Sequence, residues 1–259
     1  MTEMPLIYRR DGSVARITFN RPQTLNAIDS QMATLFLRAC REVAADAEVR
    51  AVVVSGEGRA FMAGGDIAQF RDDPQSVPSS LIDPMHEGLM LLATLQAPVI
   101  ASVQGAAAGA GMSIALACDL VIAAEGTRFN SAYVNLATSC DLGASWSLPR
   151  VVGLRRALEI MLLSETIDAA RALELGLVNR VVPADELVAE TEKLVNRLVS
   201  GAPIAQGVLK RLMRESFGRE FSAQLAAERK GFEACVRTAD FREGVAAFLD
   251  KRPADFRGH

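Results

Sequence analysis

Two runs of small residues hold the chemistry most open to reading in this chain: Arg59-Ala60-Phe61-Met62-Ala63-Gly64-Gly65-Asp66 and Gly105-Ala106-Ala107-Ala108-Gly109-Ala110-Gly111-Met112. Each follows an aliphatic run and leads into a helix-like one, and such junctions leave backbone N–H groups without partners at the helix start. Small side chains let a carbonyl approach that backbone, where the partial positive charge of a helix N-terminus favours an oxyanion. The two runs read as halves of an oxyanion hole; the competing reading of each is a Gly-rich packing device.

Among side chains, Asp141 has the apolar sequence neighbours Leu136, Ala137, Cys140, Leu142 and Trp146, and desolvation there would raise its pKa toward a value useful for proton transfer. The alternative role for Asp141 is to N-cap a helix beginning near Gly143. His86 lies in a helix-like run and reads as either a base or a surface residue. Ser113, His86 and Asp141 supply the residue types of a nucleophilic triad, but Gly111-Met112-Ser113-Ile114-Ala115 is not a nucleophile elbow, which argues against a serine hydrolase. The cluster Lys210-Arg211-Leu212-Met213-Arg214 interleaves basic and apolar residues and reads as a solvated helix face at a subunit contact rather than an RNA site.

These residues need elements to position them. Leu6 to Arg9 and Val14 to Phe19, separated by Asp11-Gly12, predict a hairpin. Asp29 or Ser30 can cap a helix running to about Ala45. Ala51 to Ser55, Pro98 to Val103 and Leu120 to Ala124 read as buried strands of a parallel sheet, with a helix from about Ser80 to Leu95 between the first two. Beyond about Asp185 the pattern is helical, over Leu187 to Leu198, Ile204 to Met213, Ser222 to Cys235 and Phe241 to Phe248. Ser200-Gly201-Ala202-Pro203 marks a boundary, giving a core of residues 1–200 and a helical segment of 201–259. The stretch from about Phe70 to Met90 is expected to be mobile and to shape the pocket.

With 259 residues, half of them apolar, the chain can build a sizeable core, and a formal charge of −3 supplies no field for nucleic acid or an anionic membrane. Four widely spaced cysteines without a CxxC pair predict reduced thiols, and with only two histidines, His86 and His259, no His-rich metal cluster can form. Met1 to Pro5 lacks the features of a signal peptide and no apolar run reaches membrane-span length, so a cytoplasmic protein is expected.

The order Ile17-Thr18-Phe19-Asn20-Arg21-Pro22, Leu25-Asn26-Ala27, Ala60 to Asp66, Pro98 to Gly111 and Cys118-Asp119-Leu120 resembles the crotonase superfamily, the enoyl-CoA hydratase/isomerase family. The likeness continues through Ser147 to Gly153, Ala172 to Val178 and Phe248 to Arg252. It implies an α/β fold, a spiral of ββα units with a C-terminal helical oligomerisation segment, assembled as a homotrimer or homohexamer. It also implies an acyl-CoA thioester substrate, with coenzyme A entering as part of that substrate and no separate cofactor or metal.

On this resemblance the N–H groups of Met62 and Ala110 would hold the thioester oxygen. Leu25, Ala27, Ala60, Ala63, Gly64, Asp66, Ile67 and Gly109 would line the coenzyme A channel, and Phe248 and Lys251 would reach it from a neighbouring subunit. The positions at which hydratases of the family carry two glutamates are occupied by Ser113 and Tyr133, neither of which is a carboxylate base. Asp141 falls where double-bond-shifting members carry their aspartate, which can move a proton from one carbon to another. The resemblance thus implies isomerase-type proton transfer by Asp141, with Tyr133 either bonding the thioester or filling the acyl pocket. Three alternatives stay open: hydration by a non-standard acid/base set, aryl-CoA dehalogenation or hydrolysis using Asp141 and His86, and a non-catalytic acyl-CoA-binding subunit.

Overall fold

The computed structural model describes residues 4–259; Met1, Thr2 and Glu3, on which part of the leader reading falls, lie outside the described residues. The chain opens with the expected hairpin, β1 (Leu6–Asp11) and β2 (Val14–Phe19) pairing antiparallel. Helix α1 (Ser30–Ala45) begins at Asp29, whose side chain accepts the Met32 N–H at 2.8 Å, and it buries Met32, Phe36, Cys40 and Val43 on one face. That spacing is the helical period of a face turned to the core.

Strands β3 (Ala51–Gly56), β4 (Val99–Val103) and β6 (Leu120–Ala124) follow, separated by α2 (Ile67–Asp72), a π-helical turn (Pro78–Ile82), α3 (Asp83–Thr94), β5 (Ala106–Ala108) and α4 (Ala110–Ala117). The later elements are β7 (Arg128–Asn130), α5 (Ala144–Val152), α6 (Leu154–Leu163), β8 (Ile167–Asp168), α7 (Ala169–Glu174) and β9 (Arg180–Val182), then α8 (Leu187–Val199), α9 (Pro203–Ser216), α10 (Phe221–Val236) and α11 (Ala239–Leu249).

The main sheet has the order β1-β2-β3-β4-β6-β9, parallel from β2 onward. Its central strands are mostly aliphatic because both faces are covered. Val52, Val54, Ala101 and Val103 meet α1 and its partners, while Val53 and Ile100 meet Val195 of α8. A second sheet, β5-β7-β8, was not anticipated by the sequence reading. Its strands are two or three residues long and take their pairing from non-local contacts.

Asp119 ties α9 to the main sheet, accepting Lys210 at 2.8 Å, Arg214 at 2.7 Å and the Val99 N–H at 2.8 Å. The basic cluster of α9 therefore turns two of its cations inward. No helix among the described residues is long and apolar enough to cross a membrane.

Candidate active site

Beyond β3 the first small-residue run is bound to β5 by a parallel bridge between Met62 and Ala107. The Met62 N–H donates to Ala106 O at 3.0 Å, and Met62 O accepts the Ala108 N–H at 2.9 Å. Ala63 N–H then goes to Leu25 O, and a second bridge flanks Gly65, with Ile28 N–H donating to Gly64 O and Asp66 N–H to Ile28 O, both at 2.8 Å. Gly65's own N–H lies outside this pairing. In the second run, the first helical bond of α4 runs from Ser113 N–H to Gly109 O at 3.0 Å, which leaves the Ala110 N–H without a helical acceptor.

The expected pairing of the Met62 and Ala110 N–H groups does not form. Met62 is fully buried and its N–H is spent on Ala106, so it cannot hold a ligand. Further along the run the Gly64 and Gly65 N–H groups take no backbone acceptor, the Gly65 one lying on the side of the strand away from Ile28, and Gly64, Gly65 and Ala110 line the same cavity. The runs are in contact: a Cβ built on Gly109 would lie 3.7 Å from Gly64 Cα. One built on Gly111 would strike the Met62 carbonyl, so only glycine lets α4 sit this close to the bridge.

The cavity measures about 560 Å³ and takes its apolar wall from Phe70, Val77, Pro78, Leu81, Ile82 and Leu136. Asp141 and Tyr133 complete it. The Tyr133 hydroxyl donates to Asp141 Oδ1, and Ser113 Oγ lies 2.7 Å from the same hydroxyl and 3.1 Å from Gly109 O. Among the described residues no other side chain donates to the Asp141 carboxylate, and its own backbone N–H also lies against it. The sole sealed side-chain polar atom lacking a partner among the described residues is Gln206 Oε1, and Asp141 lines the cavity.

Burial raises the Asp141 carboxyl above the ordinary carboxylate range, opposed in part by the Tyr133 hydrogen bond and by His86. Burial and the neighbouring aspartate also push the Tyr133 phenol up, which keeps it protonated and a donor. The capping alternative for Asp141 is not realised: Gly143 is the N-cap of α5, no side chain among the described residues caps the helix, and the Ala144 N–H bonds the backbone O of Asp141.

His86 does not line this cavity. Its Nε2 accepts the Leu142 N–H at 3.1 Å, so the lone pair a base would use holds backbone instead. Trp146 is exposed beneath Arg150, whose guanidinium sits 4.1 Å from the ring centroid, and it too is outside the cavity.

Of the proposed channel residues, Ala63, Gly64, Ile67 and Gly109 line the cavity, whereas Leu25, Ala27, Ala60 and Asp66 do not. Arg21 ties Asp66 at 2.9 Å and Ala27 O at 2.7 Å, and Ala60 O is taken by Asn26. Phe248, 83% exposed, borders a second apolar cavity with Phe241 and Phe256, and neither Phe248 nor Lys251 lines the first.

Three contributors have roles that the sequence does not assign. Gly65 was quoted only as part of a motif. Asn26 is fully buried at positive φ, donating to Glu57 O, Ala60 O and Phe61 O and accepting the Arg21 N–H. Ser113 touches Tyr133, a contact foreshadowed by their occupying the two positions at which hydratases place glutamates.

Solved structures share this architecture. The enoyl-CoA hydratase from Polaromonas sp. JS666 matches with a TM-score of 0.91 at 35% identity, over 97% of this chain and 99% of that one. The enoyl-CoA hydratase from Mycobacterium smegmatis matches with a TM-score of 0.92 at 32% identity, over 98% and 99%. Fold and site thus define a crotonase-like α/β enzyme with a C-terminal helical region.

A family model described as enoyl-CoA hydratase/isomerase matches residues 9–259. The chain is 34% identical over 256 residues to the "Probable enoyl-CoA hydratase echA8" of Mycobacterium tuberculosis, covering 99% of each. It is likewise 34% identical over 262 residues to the 1,2-epoxyphenylacetyl-CoA isomerase of Escherichia coli K12, covering 100% of each. The chain belongs to the enoyl-CoA hydratase/isomerase family and is an acyl-CoA enzyme.

Proposed function

We propose that this enzyme shifts a double bond within an enoyl-CoA thioester. The N–H groups of Gly65 and Ala110 hold the thioester oxygen while Asp141 takes a proton from the α-carbon and returns it to the γ-carbon. The observation that carries this reading is that Asp141, bonded by Tyr133 through Oδ1, lines the same cavity as Gly65 and Ala110. A carboxylate raised by burial suits proton exchange with a carbon acid beside a carbonyl. The other ionisable groups on the cavity wall are Arg71, which is paired with Asp72, Tyr133, whose hydroxyl is committed to Asp141, and Cys140. The name of the Escherichia coli relative accords with an isomerase.

Hydration is the second reading, favoured by the names of other relatives. It would need a water held by Asp141 alone. Dehalogenation loses support because His86 Nε2 is occupied by the Leu142 N–H and His86 does not line the cavity. The exposed Phe232, Phe241, Phe248 and Leu249 of the C-terminal helices support assembly through that segment as a trimer or hexamer, and four free cysteines suit the cytoplasm.

The test uses a 3-enoyl-CoA. The parent should form the 2-enoyl product, and Asp141→Asn should lose that turnover while still binding the thioester. Equal turnover in mutant and parent would remove Asp141 from the mechanism, and 3-hydroxyacyl-CoA as the main product from a 2-enoyl-CoA would favour hydration.

A further inference from the structure

Three oxygen–oxygen contacts run in series from the carboxylate into the protein: Asp141 Oδ1 to Tyr133 Oη, Tyr133 Oη to Ser113 Oγ at 2.7 Å, and Ser113 Oγ to Gly109 O at 3.1 Å. Each needs a hydrogen between its oxygens. A hydroxyl brings one, and an ionised carboxylate or a carbonyl brings none, so two hydrogens serve three contacts. The charged acceptor and the shorter contact claim them: Tyr133 donates to Oδ1 and Ser113 donates to Tyr133. Gly109 O gives up least, because it keeps the Ser113 N–H at 3.0 Å. Ser113 and Tyr133 are both buried, leaving little water access to either hydroxyl.

We propose that Ser113 is a positioning residue for proton transfer: through Tyr133 it reserves Asp141 Oδ1 as an acceptor, so that the proton drawn from substrate lodges on Oδ2 and returns to the same molecule. The proposal rests on the isomerase reading and deepens it. A proton on Oδ1 would meet the Tyr133 hydrogen head-on and require both hydroxyls to reverse toward Gly109; Oδ2 has no side-chain hydroxyl against it, and Asp141 lines the cavity. The Cα–H bond breaks with its electron pair left in the enolate, and an O–H bond forms at Oδ2. That O–H bond then breaks as a C–H bond forms at the γ-carbon, restoring the carboxylate without a co-reactant. The groups facing Asp141 are Tyr133 and Cys140 from its own loop, His86 from α3 and, across the cavity, Arg71 from α2.

The test titrates the Asp141 carboxyl by carbon-13 NMR in the full-length, substrate-free protein, assigned with Asp141→Asn. Tyr133→Phe should raise the midpoint by about one pH unit, the scale of a lost hydrogen bond to a charge. Ser113→Ala should raise it by a smaller amount although Ser113 does not touch Asp141, and Ser113→Cys, similar in size with a weaker donor, should fall between Ser113→Ala and parent. With α-deuterated 3-enoyl-CoA, the parent should carry label to the γ-carbon, and Ser113→Ala should lose at least half of that retained label to water. A midpoint and label retention unchanged in both Ser113 variants would overturn the proposal. Because the titration is read without substrate, it remains decisive even if the parent moves no double bond, an outcome that would sink the isomerase reading instead.

Discussion

The backbone N–H of Leu142 donates to Nε2 of His86 at 3.1 Å, so a side chain of α3 anchors the residue that follows Asp141. Because Leu142 is 1% exposed, its N–H has no water to replace the imidazole. His86→Ala should therefore cost about 1–3 kcal/mol, the usual penalty for a stranded buried donor, and should lower kcat by loosening Asp141. His86→Gln offers an amide oxygen to the same N–H and should recover most of both. Thermal unfolding and steady-state rates check this; a His86→Ala protein of parental stability with no turnover would make the imidazole a base after all.

Ala110 permits a backbone test of the oxyanion site. It is the first residue of α4, a position that tolerates proline because its N–H has no helical acceptor. Ala110→Pro should delete the donor while retaining the helix, lowering kcat by roughly 10²–10³-fold, as loss of one such donor does. Circular dichroism should be preserved. Parental turnover would show that the Ala110 N–H does not hold the oxygen.

Asp141 should carry a stability cost that depends on pH. Its carboxyl titrates above the ordinary range because of burial, so the folded protein binds this proton more tightly than the unfolded chain. The resulting destabilisation is absent below the unfolded value of about 3.9, grows as pH rises through the folded value and is complete above it. Asp141→Asn should consequently be more stable than the parent at pH 7, with the gain shrinking as pH approaches about 4. Denaturant melts across that range measure it. Activity should fall on the acid side at a pH above the ordinary carboxylate value, since the base must be ionised.

Asn26 holds together the loops behind the site. Its amide nitrogen serves three carbonyls, those of Glu57, Ala60 and Phe61, and its oxygen accepts the Arg21 N–H at 2.8 Å. Asn26→Ala should cost about 3 kcal/mol, as expected for breaking a buried polar network. At roughly 2–4 °C per kcal/mol for a chain of this size, the melting temperature should drop by about 6–12 °C. Asn26→Asp should also destabilise, since a carboxylate has no hydrogens for those carbonyls.

Much of the fold is legible from local pattern. The Asp11-Gly12 hairpin, the Asp29 cap, the aliphatic strands and the four C-terminal helices follow from turn chemistry and periodicity within short windows. The strands β5, β7 and β8 are not legible, because so few residues carry no period and their partners lie elsewhere in the chain. The order of motifs likewise sufficed for the family, and it placed Asp141, Tyr133 and Ala110 at one cavity.

Residue types and their order thus determined that two glycine-rich junctions and one aspartate would meet. Which atoms stay open was decided by the tertiary structure alone. Met62 and Gly65 lie three residues apart in one motif, yet β5 lies beside the first and claims its N–H, whereas the pairing to Ile28 passes around the second. Likewise Tyr133 takes one oxygen of Asp141 and leaves the other. A hydrogen bond depends on what is brought within about 3 Å by the folded chain, and such non-local neighbours are absent from any local window of sequence.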